Sequence, residues 1–487
     1  MNYETIIGLE VHVQLLTKSK MFCRCSAAYA DASPNTHVCP VCLGMPGVLP
    51  TINKHAVEYT VMTALALNCT ISDYTRFDRK NYPYPDLMKG YQISQSYAPI
   101  GYNGWLMIDV NGEGRKVGII NVHLEEDVAK LLHRTSPDGQ AYSLVDVNRS
   151  GVPLMEIVGG PDIRSPEEAR QYLITLRSIL QYLGVSTANM EEGSFRCDAN
   201  ISIRPEDSTD SLAKVEVKNM NSFKAVYLAL EYEAKRQRRV AEEGKKLVQE
   251  TRGWVEERGI TVAQRSKEYA HDYRYFPEPD LPPLVLNREW VEEIRSKLPE
   301  LPEARHDRLV AEYGLPLYDA SLLTSSREMA DYFEDCLREY EAKPAPAKEI
   351  SNWLLGEVSR IMNANNIDIT EFGERVSPQR LCLLISNTRS AIINTATAKS
   401  VLEEMFTTGR DAASIIEQRG LSQISDAGEI EKEVIKAIRN NPQAVADYKA
   451  GKKQSLKFLV GQVMRATGSR ANPKLVNELL EKKLKEG

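Results

Sequence analysis

Nowhere in the 487 residues is there an apolar run near the 18 or so residues that cross a membrane; the longest clean stretch, Val61 to Leu67, is far shorter. The N-terminus, MNYETIIGLEV, lacks the basic start and apolar core of a secretory signal and the arginines of a transit peptide, so a cytoplasmic location is expected. No GxxxxGK[ST] occurs, which excludes a P-loop nucleotide site. A GxSxG elbow and a Ser/Lys amidase signature are also missing, so no serine-nucleophile hydrolase machinery is recognisable. Without a secretory context, eight cysteines do not read as a disulfide framework. A net charge of −6 gives no global attraction for nucleic acid, so any such binding must come from a local patch.

What is present is an ordinary globular composition, 42% hydrophobic and 26% charged, which excludes wholesale disorder. The length exceeds one core and predicts two to four domains. Short strand patterns dominate to about residue 290: Ile6–Leu15, Trp105–Val110, Lys116–Leu124, Ser143–Val147, Ala199–Ile203 and Lys214–Lys218. Among them lie a helix over Pro166–Leu183, with Ser165 as N-cap, and a longer one over Ser222–Gly244. The proline-dense Pro277–Leu284 closes this region, and 3.6-residue periodicity prevails beyond it. The expected class is α+β: a mixed strand/helix domain over 1–290, a helical domain over 291–408 and a small helical module over 409–487. KPAPAK at Lys343–Lys348 reads as an exposed linker between two helices.

Ile6–Leu15, IIGLEVHVQL, alternates strictly. Leu9, Val11, Val13 and Leu15 share one face, while Glu10, His12 and Gln14 share the other. At roughly 3.3 Å per residue, Glu10 and His12 stand about 7 Å apart and point the same way, as a metal-ligand or acid/base pair requires. A second strand, RCDANISIR, repeats the pattern by placing Asp198, Asn200 and Ser202 on one face. Further acids lie at strands and strand ends: Glu125, Glu126, Asp127, Glu156, Glu191 and Glu192. If the strands are neighbours, Glu10, His12, Asp198 and a carboxylate such as Glu125 converge on one hard cation, and Mg²⁺ prefers such oxygen ligands beside substrate phosphates.

Cys23, Cys25, Cys39 and Cys42 form a C-x-C, thirteen-residue, C-x2-C array with Pro34 and Pro40 inside it, the spacing of a knuckle that closes four thiolates on structural zinc. His37 is an alternative ligand that a complete thiolate set does not need. Cys69, Cys197, Cys336 and Cys382 are isolated and read as buried small hydrophobes. From Gly451 to Gly487, nine Lys and Arg face three Glu, a local excess of +6 suited to phosphate contacts that include Lys452, Lys453, Lys457 and Arg465.

GLEVH near the start resembles, together with FDRKNYPYPDLMKGYQISQ (77–95), HLEEDVAK (123–130), VDVNRSGVPLMEIV (145–158), MEEGSFRCDANISIR (190–204), KNMNSF (218–223), DYRYFPEPDLPPL (272–284) and FLVGQVMRATGSRANP (458–473), the B subunit of the tRNA-dependent amidotransferases. The resemblance implies a carbon–nitrogen ligase with glutamine as amide donor. Such proteins use ATP and Mg²⁺ to phosphorylate the side-chain carboxylate of glutamate mischarged on tRNA(Gln), or of aspartate on tRNA(Asn). Ammonia then displaces the phosphate. It further implies a heterotrimer with an amidase-type A subunit and a small C subunit, and a tail that contacts tRNA. On this reading Glu10, His12, Glu125 and Asp198 are the catalytic and Mg²⁺ residues. Arg79, Lys80, Lys89, Glu126, Glu156 and Asn200 line the phosphate or ammonia path. The alternative is a non-catalytic, zinc-containing scaffold that only presents tRNA. An archaeal-type relative with an inserted synthetase-like domain is excluded, because Asp280 passes directly into the Glu289–Tyr313 helices.

Overall fold

The computed structural model describes residues 2–110, 112–208, 210–266, 273–341, 346–421, 427–449, 452, 454–468 and 471–486. They fall into two compact units, Met1–Pro302 and Glu303–Gly487. The first is mixed and the second helical, the α+β class expected.

The first unit is built on a nine-stranded sheet. Its strands are β1 (Tyr3–Gln14), β2 (Thr70–Ile71), β3 (Gly101–Val110), β4 (Glu113–Glu126), β5 (Pro153–Gly159), β6 (Phe195–Pro205), β7 (Val215–Lys218), β8 (Glu250–Val255) and β9 (Ile260–Ser266). The order across the sheet is β9-β8-β7-β6-β1-β5-β4-β3-β2, antiparallel except for β7 against β8. The alternation in β1 is realised as written: Ile7, Leu9, Val11 and Val13 are at most 1% exposed, while Glu10, His12 and Gln14 are half-buried on the other face. The apolar face is covered by α2 (Pro166–Tyr182) and α3 (Phe223–Glu242), whose Tyr172, Leu173, Leu176, Val226 and Leu230 join one core with the strands. Each such side chain contributes roughly 1.5–3 kcal/mol by leaving water. Ser165 caps α2 by accepting from the Glu168 N–H, with Pro166 at the first position and two acids in the first turn. The consequence for function is geometric. With one face sealed by helices, the other holds a row of polar side chains on a stiff floor.

Elements without a counterpart in the sequence patterns include the helix α1 (Lys54–Ala66), the β5 strand and the β8–β9 pair. The helix buries eight of its thirteen residues, from Ala56 to Ala66, so it has no polar stripe to reveal its period. A small sheet of Asp78–Asn81, Tyr91–Ser94 and Phe276–Pro277 stands beside the open face.

In the second unit the buried side chains form two separate clusters, one from Leu309 to Ile416 and one from Ile430 to Leu484. Ser377 caps the Pro378–Arg389 helix as its sequence predicts. The expected helical run to Thr407 is interrupted at 390–394, where Ala391 adopts φ +55° and Asn394 caps a new helix, Thr395–Thr408. Of the expected linker, residues 343–345 lie outside the described residues.

Candidate active site

Register decides which polar groups meet. Pairing of β1 with β5 sets His12 opposite Glu156, and pairing of β5 with β4 sets Glu156 opposite His123. Glu125 joins this row from the end of β4. His12 Nε2 lies 3.4 Å from Glu156 Oε2 and 3.9 Å from Glu125 Oε2, and His123 Nε2 lies 3.2 Å from Glu156 Oε2. One ligand atom from each of His12, Glu125 and Glu156 falls within 4.8 Å of the others. Adjacent ligands of an octahedral cation at about 2.1 Å are about 3 Å apart, so a small closure of these three side chains would seat a divalent ion.

The electrostatics suit that use. Burial resists ionisation of Glu125, but Lys80 and His123 outweigh it and hold the carboxyl at about 2. Burial likewise opposes Glu156, and His12 and His123 still keep it well below the usual carboxylate range. The two imidazoles respond in kind. Burial disfavours their charge, yet Glu156 and Glu125 raise both, His123 to about 9. Two carboxylates are therefore anionic at neutral pH, and protons held more tightly by the imidazoles are what a metal would compete with.

The same cleft is lined by Glu10, Asp198, Asn200, Lys80, Arg196 and Lys218. Glu10 and Asp198 lie directly opposite each other on β1 and β6. Glu10 accepts from Asn200 Nδ2 at 2.8 Å, and burial followed by the charge of Glu156 pushes its pKa up. Asp198 is ion-paired with Lys218. Thus His12 and Glu125 meet Glu156, whereas Glu10 and Asp198 occupy the adjoining stretch of cleft with partners of their own. Lys80 Nζ stands 4.0 Å from Glu125 Oε1 and over the Tyr273 ring at 5.2 Å; burial works against its charge, and Glu125 more than restores it. Glu191 and Glu192 are exposed in the turn before β6.

Three of the expected phosphate or ammonia residues, Arg79, Lys89 and Glu126, lie elsewhere. Arg79 is committed to a bidentate bridge with Glu278, Nε to Oε2 at 2.7 Å and Nη2 to Oε1 at 2.8 Å, with Asp280 at 3.2 Å, and does not line the cleft. Lys89 is ion-paired with Glu126, and both line a separate cavity beside Cys23, Cys42 and Lys20. His123 is not singled out by the sequence patterns, although H-L-E at 123–125 has the same two-residue parity as E-V-H at 10–12. Arg196 and Lys218 are hidden there too, since their relevance follows from partners remote in sequence.

The cysteine array closes as its spacing implies. Ligand sulfurs of Cys23, Cys25, Cys39 and Cys42 lie within 4.8 Å of one another, with Cys39 and Cys42 at 3.9 Å. A tetrahedron with Zn–S of about 2.3 Å has S···S edges near 3.8 Å, so the four sulfurs fit structural zinc. A hydrogen bond from Cys23 draws the Cys42 thiol down, and burial lifts that of Cys25, so Cys42 is the sulfur most readily ionised for a metal. His37 is outside the cluster; its backbone N–H donates to Asn148 Oδ1, and its carbonyl accepts from Lys20.

In the second unit, Lys457 and Arg465 are exposed on the Gln454–Ala466 helix beside the half-exposed Phe458, while Lys452 pairs with Asp447 at 3.1 Å. Lys453 lies outside the described residues. No helix among the described residues is long and apolar enough to cross a membrane.

Comparison with known proteins agrees with this architecture. Residues 5–292 match the family described as GatB/GatE catalytic domain, and residues 331–484 match the GatB domain. The chain is 63% identical to the B subunit of the aspartyl/glutamyl-tRNA(Asn/Gln) amidotransferase of Dehalococcoides mccartyi strain CBDB1, covering 100% of this chain and 99% of that protein. It is 54% identical to the corresponding B subunit of Thermomicrobium roseum (100% and 99%) and 53% identical to that of Carboxydothermus hydrogenoformans (99% of each). The chain therefore belongs to the B-subunit family of the aspartyl/glutamyl-tRNA(Asn/Gln) amidotransferases.

Proposed function

We propose that this chain is the ATP-using subunit of a tRNA-dependent amidotransferase. It phosphorylates the side-chain carboxylate of glutamate on tRNA(Gln), of aspartate on tRNA(Asn), or of both, and then amidates it. The single observation that supports this reading most is the convergence of His12, Glu125 and Glu156 at the floor of a cleft that also presents Lys80, Arg196 and Lys218.

A carboxylate is a poor electrophile because it has no good leaving group. One of its oxygens attacks the γ-phosphorus of ATP; the new P–O bond forms as the bond to the β-phosphate oxygen breaks, and ADP leaves with that electron pair. Ammonia then adds to the acyl carbon, inorganic phosphate departs and takes up the proton the nitrogen loses, and the amide remains. Two anions must approach each other for the first step. Mg²⁺ held by His12, Glu125 and Glu156 would supply the charge that offsets their repulsion. Lys80, fixed as an ammonium by Glu125, adds a second positive charge to the cleft.

Continuous with the cleft through Glu10, Asn200 and Lys214 runs a groove over Gly8, flanked by Ser202, Arg204 and Lys214. A strand floor without a side chain at Gly8 and with cations at its rim suits a nucleotide extending from the cation site. Ammonia comes from a glutaminase-type A subunit, since no hydrolytic machinery of that kind is legible in this chain, and a small C subunit completes a cytoplasmic heterotrimer. Zinc in the cysteine knuckle is structural. The exposed Lys457, Phe458 and Arg465 offer charge and a stacking surface to tRNA.

The test is Glu156→Gln in the assembled enzyme, with ADP release and tRNA affinity measured separately. Loss of mischarged-tRNA-dependent ADP release with unchanged tRNA affinity supports the reading. Undiminished release would leave only a tRNA-presenting scaffold.

A further inference from the structure

Arg196 is the one guanidinium in the cleft wall among the described residues, and the reaction steps above give it no role. Its place is set by register: on β6 it lies directly opposite His12 of β1, beside the candidate cation site. Its orientation is set by Asp127. Arg196 Nη2 donates to Asp127 Oδ2 at 2.9 Å, and Asp127 is only 2% exposed. That carboxylate is itself held by Gln14 Nε2 at 2.6 Å and by the Val128 N–H at 2.9 Å, with Arg149 Nε at 3.7 Å. One buried carboxylate thus serves two arginines and fixes the place of Arg196 at this end of the cleft. Arg196 Nε is buried without a partner, and only Nη2 is engaged.

With Nε buried and Nη2 tied on one side to Asp127, the Nη1–Nη2 end of the rigid fork is what remains for a planar anion. Of the two anions that the proposed reaction brings together, the triphosphate has the cation ligands and Lys80 as counter-charges. The acceptor carboxylate has none assigned, although one of its oxygens must be steadied while the other attacks. Bidentate geometry matches a carboxylate, and the lysines of the cleft are point charges that do not select planarity.

We propose that Arg196 binds the side-chain carboxylate of the mischarged aminoacyl group and so distinguishes the acidic substrate from its amide product. This rests on the proposed reaction. Asp127 is the positioning residue behind it.

The experiment compares, in the assembled enzyme, the affinities for Glu-tRNA(Gln), the isosteric Gln-tRNA(Gln) and uncharged tRNA, together with the KM for ATP, for wild type, Arg196→Lys and Arg196→Ala. The wild type is expected to prefer the acid. Arg196→Ala is expected to raise the KM for Glu-tRNA(Gln) about 10- to 100-fold, the range of one charge-assisted contact, and to bring the acid-to-amide ratio close to one. Affinity for uncharged tRNA and the KM for ATP stay unchanged, and Arg196→Lys falls between. Equal loss for charged and uncharged tRNA, or a raised KM for ATP alone, would overturn the assignment. So would an unaltered acid-to-amide ratio in a folded variant. If Arg196→Ala fails to fold, the ratio in Arg196→Lys decides. Failure of the underlying reaction is visible apart from this, as a wild-type enzyme that releases no ADP on meeting mischarged tRNA.

Discussion

His12 and Glu156 occupy directly opposed positions on β1 and β5, with Nε2 and Oε2 3.4 Å apart, so the imidazole and the carboxylate are held by two strands of the same rigid sheet. The pair can rearrange only by side-chain rotation. Replacing either should remove cation affinity without disturbing the fold. For Glu156→Gln the expected outcome is a fall of about 100-fold or more in ADP release, comparable to loss of a transition-state charge contact, and a matching loss of Mn²⁺ signal in a paramagnetic titration. Thermal unfolding of the metal-free variant should fall modestly, because His12 and His123 lose a charged partner while Glu125 and Glu10 are relieved of a like charge.

Proton and metal compete for the same histidine. Burial opposes the charge of His12, but Glu156 and Glu125 raise its pKa, so the imidazole keeps, to higher pH than a free histidine would, a proton that a cation must displace. Both carboxyls are already ionised at neutral pH and release none. Cation affinity should therefore rise about tenfold per pH unit below the His12 pKa and level off above it. Direct titration of Mn²⁺ between pH 6 and 9 measures this, and a flat profile would show that His12 is not a ligand.

His123 gives a separate pH signature. Its folded pKa is raised to about 9 from an ordinary 6.5, so its contribution to stability is complete below about 6.5 and is lost as pH rises through 9. In buffer free of added divalent ions, the stability gap between wild type and His123→Gln should narrow by about 3 kcal/mol across that window. Denaturant unfolding at pH 6, 7.5 and 9.5 checks it.

Much of this site is written in β1, where alternation alone puts Glu10 and His12 on the open face. What single-strand periodicity does not carry is register. Which acid faces His12 depends on the pairing of β1 with β5, and β5 begins at a proline and buries Leu154 and Met155 in succession, so it shows no clean period of two. Sequence pattern accordingly puts Glu156 on the substrate path and draws the cation toward Glu10 and Asp198, neighbours by parity that have Asn200 and Lys218 as partners. The cysteine knuckle is legible because its ligand spacing is local. The β8 and β9 strands are not, because Arg252, Gly253 and Arg258 break the apolar pattern near the edge of the sheet.

The place of Arg79 in FDRKNY suggests a phosphate or ammonia residue, and its contacts indicate a tether. Glu278, with its side chain fully buried, receives both arms of the guanidinium, which also stacks over Tyr91 at 4.2 Å. Arg79→Ala leaves that carboxylate buried and unpaired and should cost about 3–5 kcal/mol. Urea unfolding reports the loss. The KM for ATP, measured below the onset of unfolding, should stay within about twofold; a large rise would return Arg79 to the phosphate path.

Removing zinc should act on one side of the first unit. Residues 33–37 of the knuckle are stitched to the 145–148 turn: Asn35 Nδ2 donates to the Val145 carbonyl, the Val147 N–H donates to Asn35 Oδ1, and Lys20 Nζ reaches the carbonyls of His37 and Val147. Lys20 is fully buried and Cys42 lies beside it, so a tetrathiolate centre is the natural counter-charge for its ammonium. Cys42→Ser is expected to lower bound zinc from one equivalent toward zero, to cost about 4 kcal/mol or more as loss of a structural metal does, and to open 23–50 to proteolysis. Elemental analysis and limited digestion read these out. Because His12, Glu125 and Glu156 are fixed by the sheet and not by the knuckle, Mn²⁺ affinity at the cleft should survive in the fraction that stays folded; its joint loss would mean that the two sites are one cooperative unit.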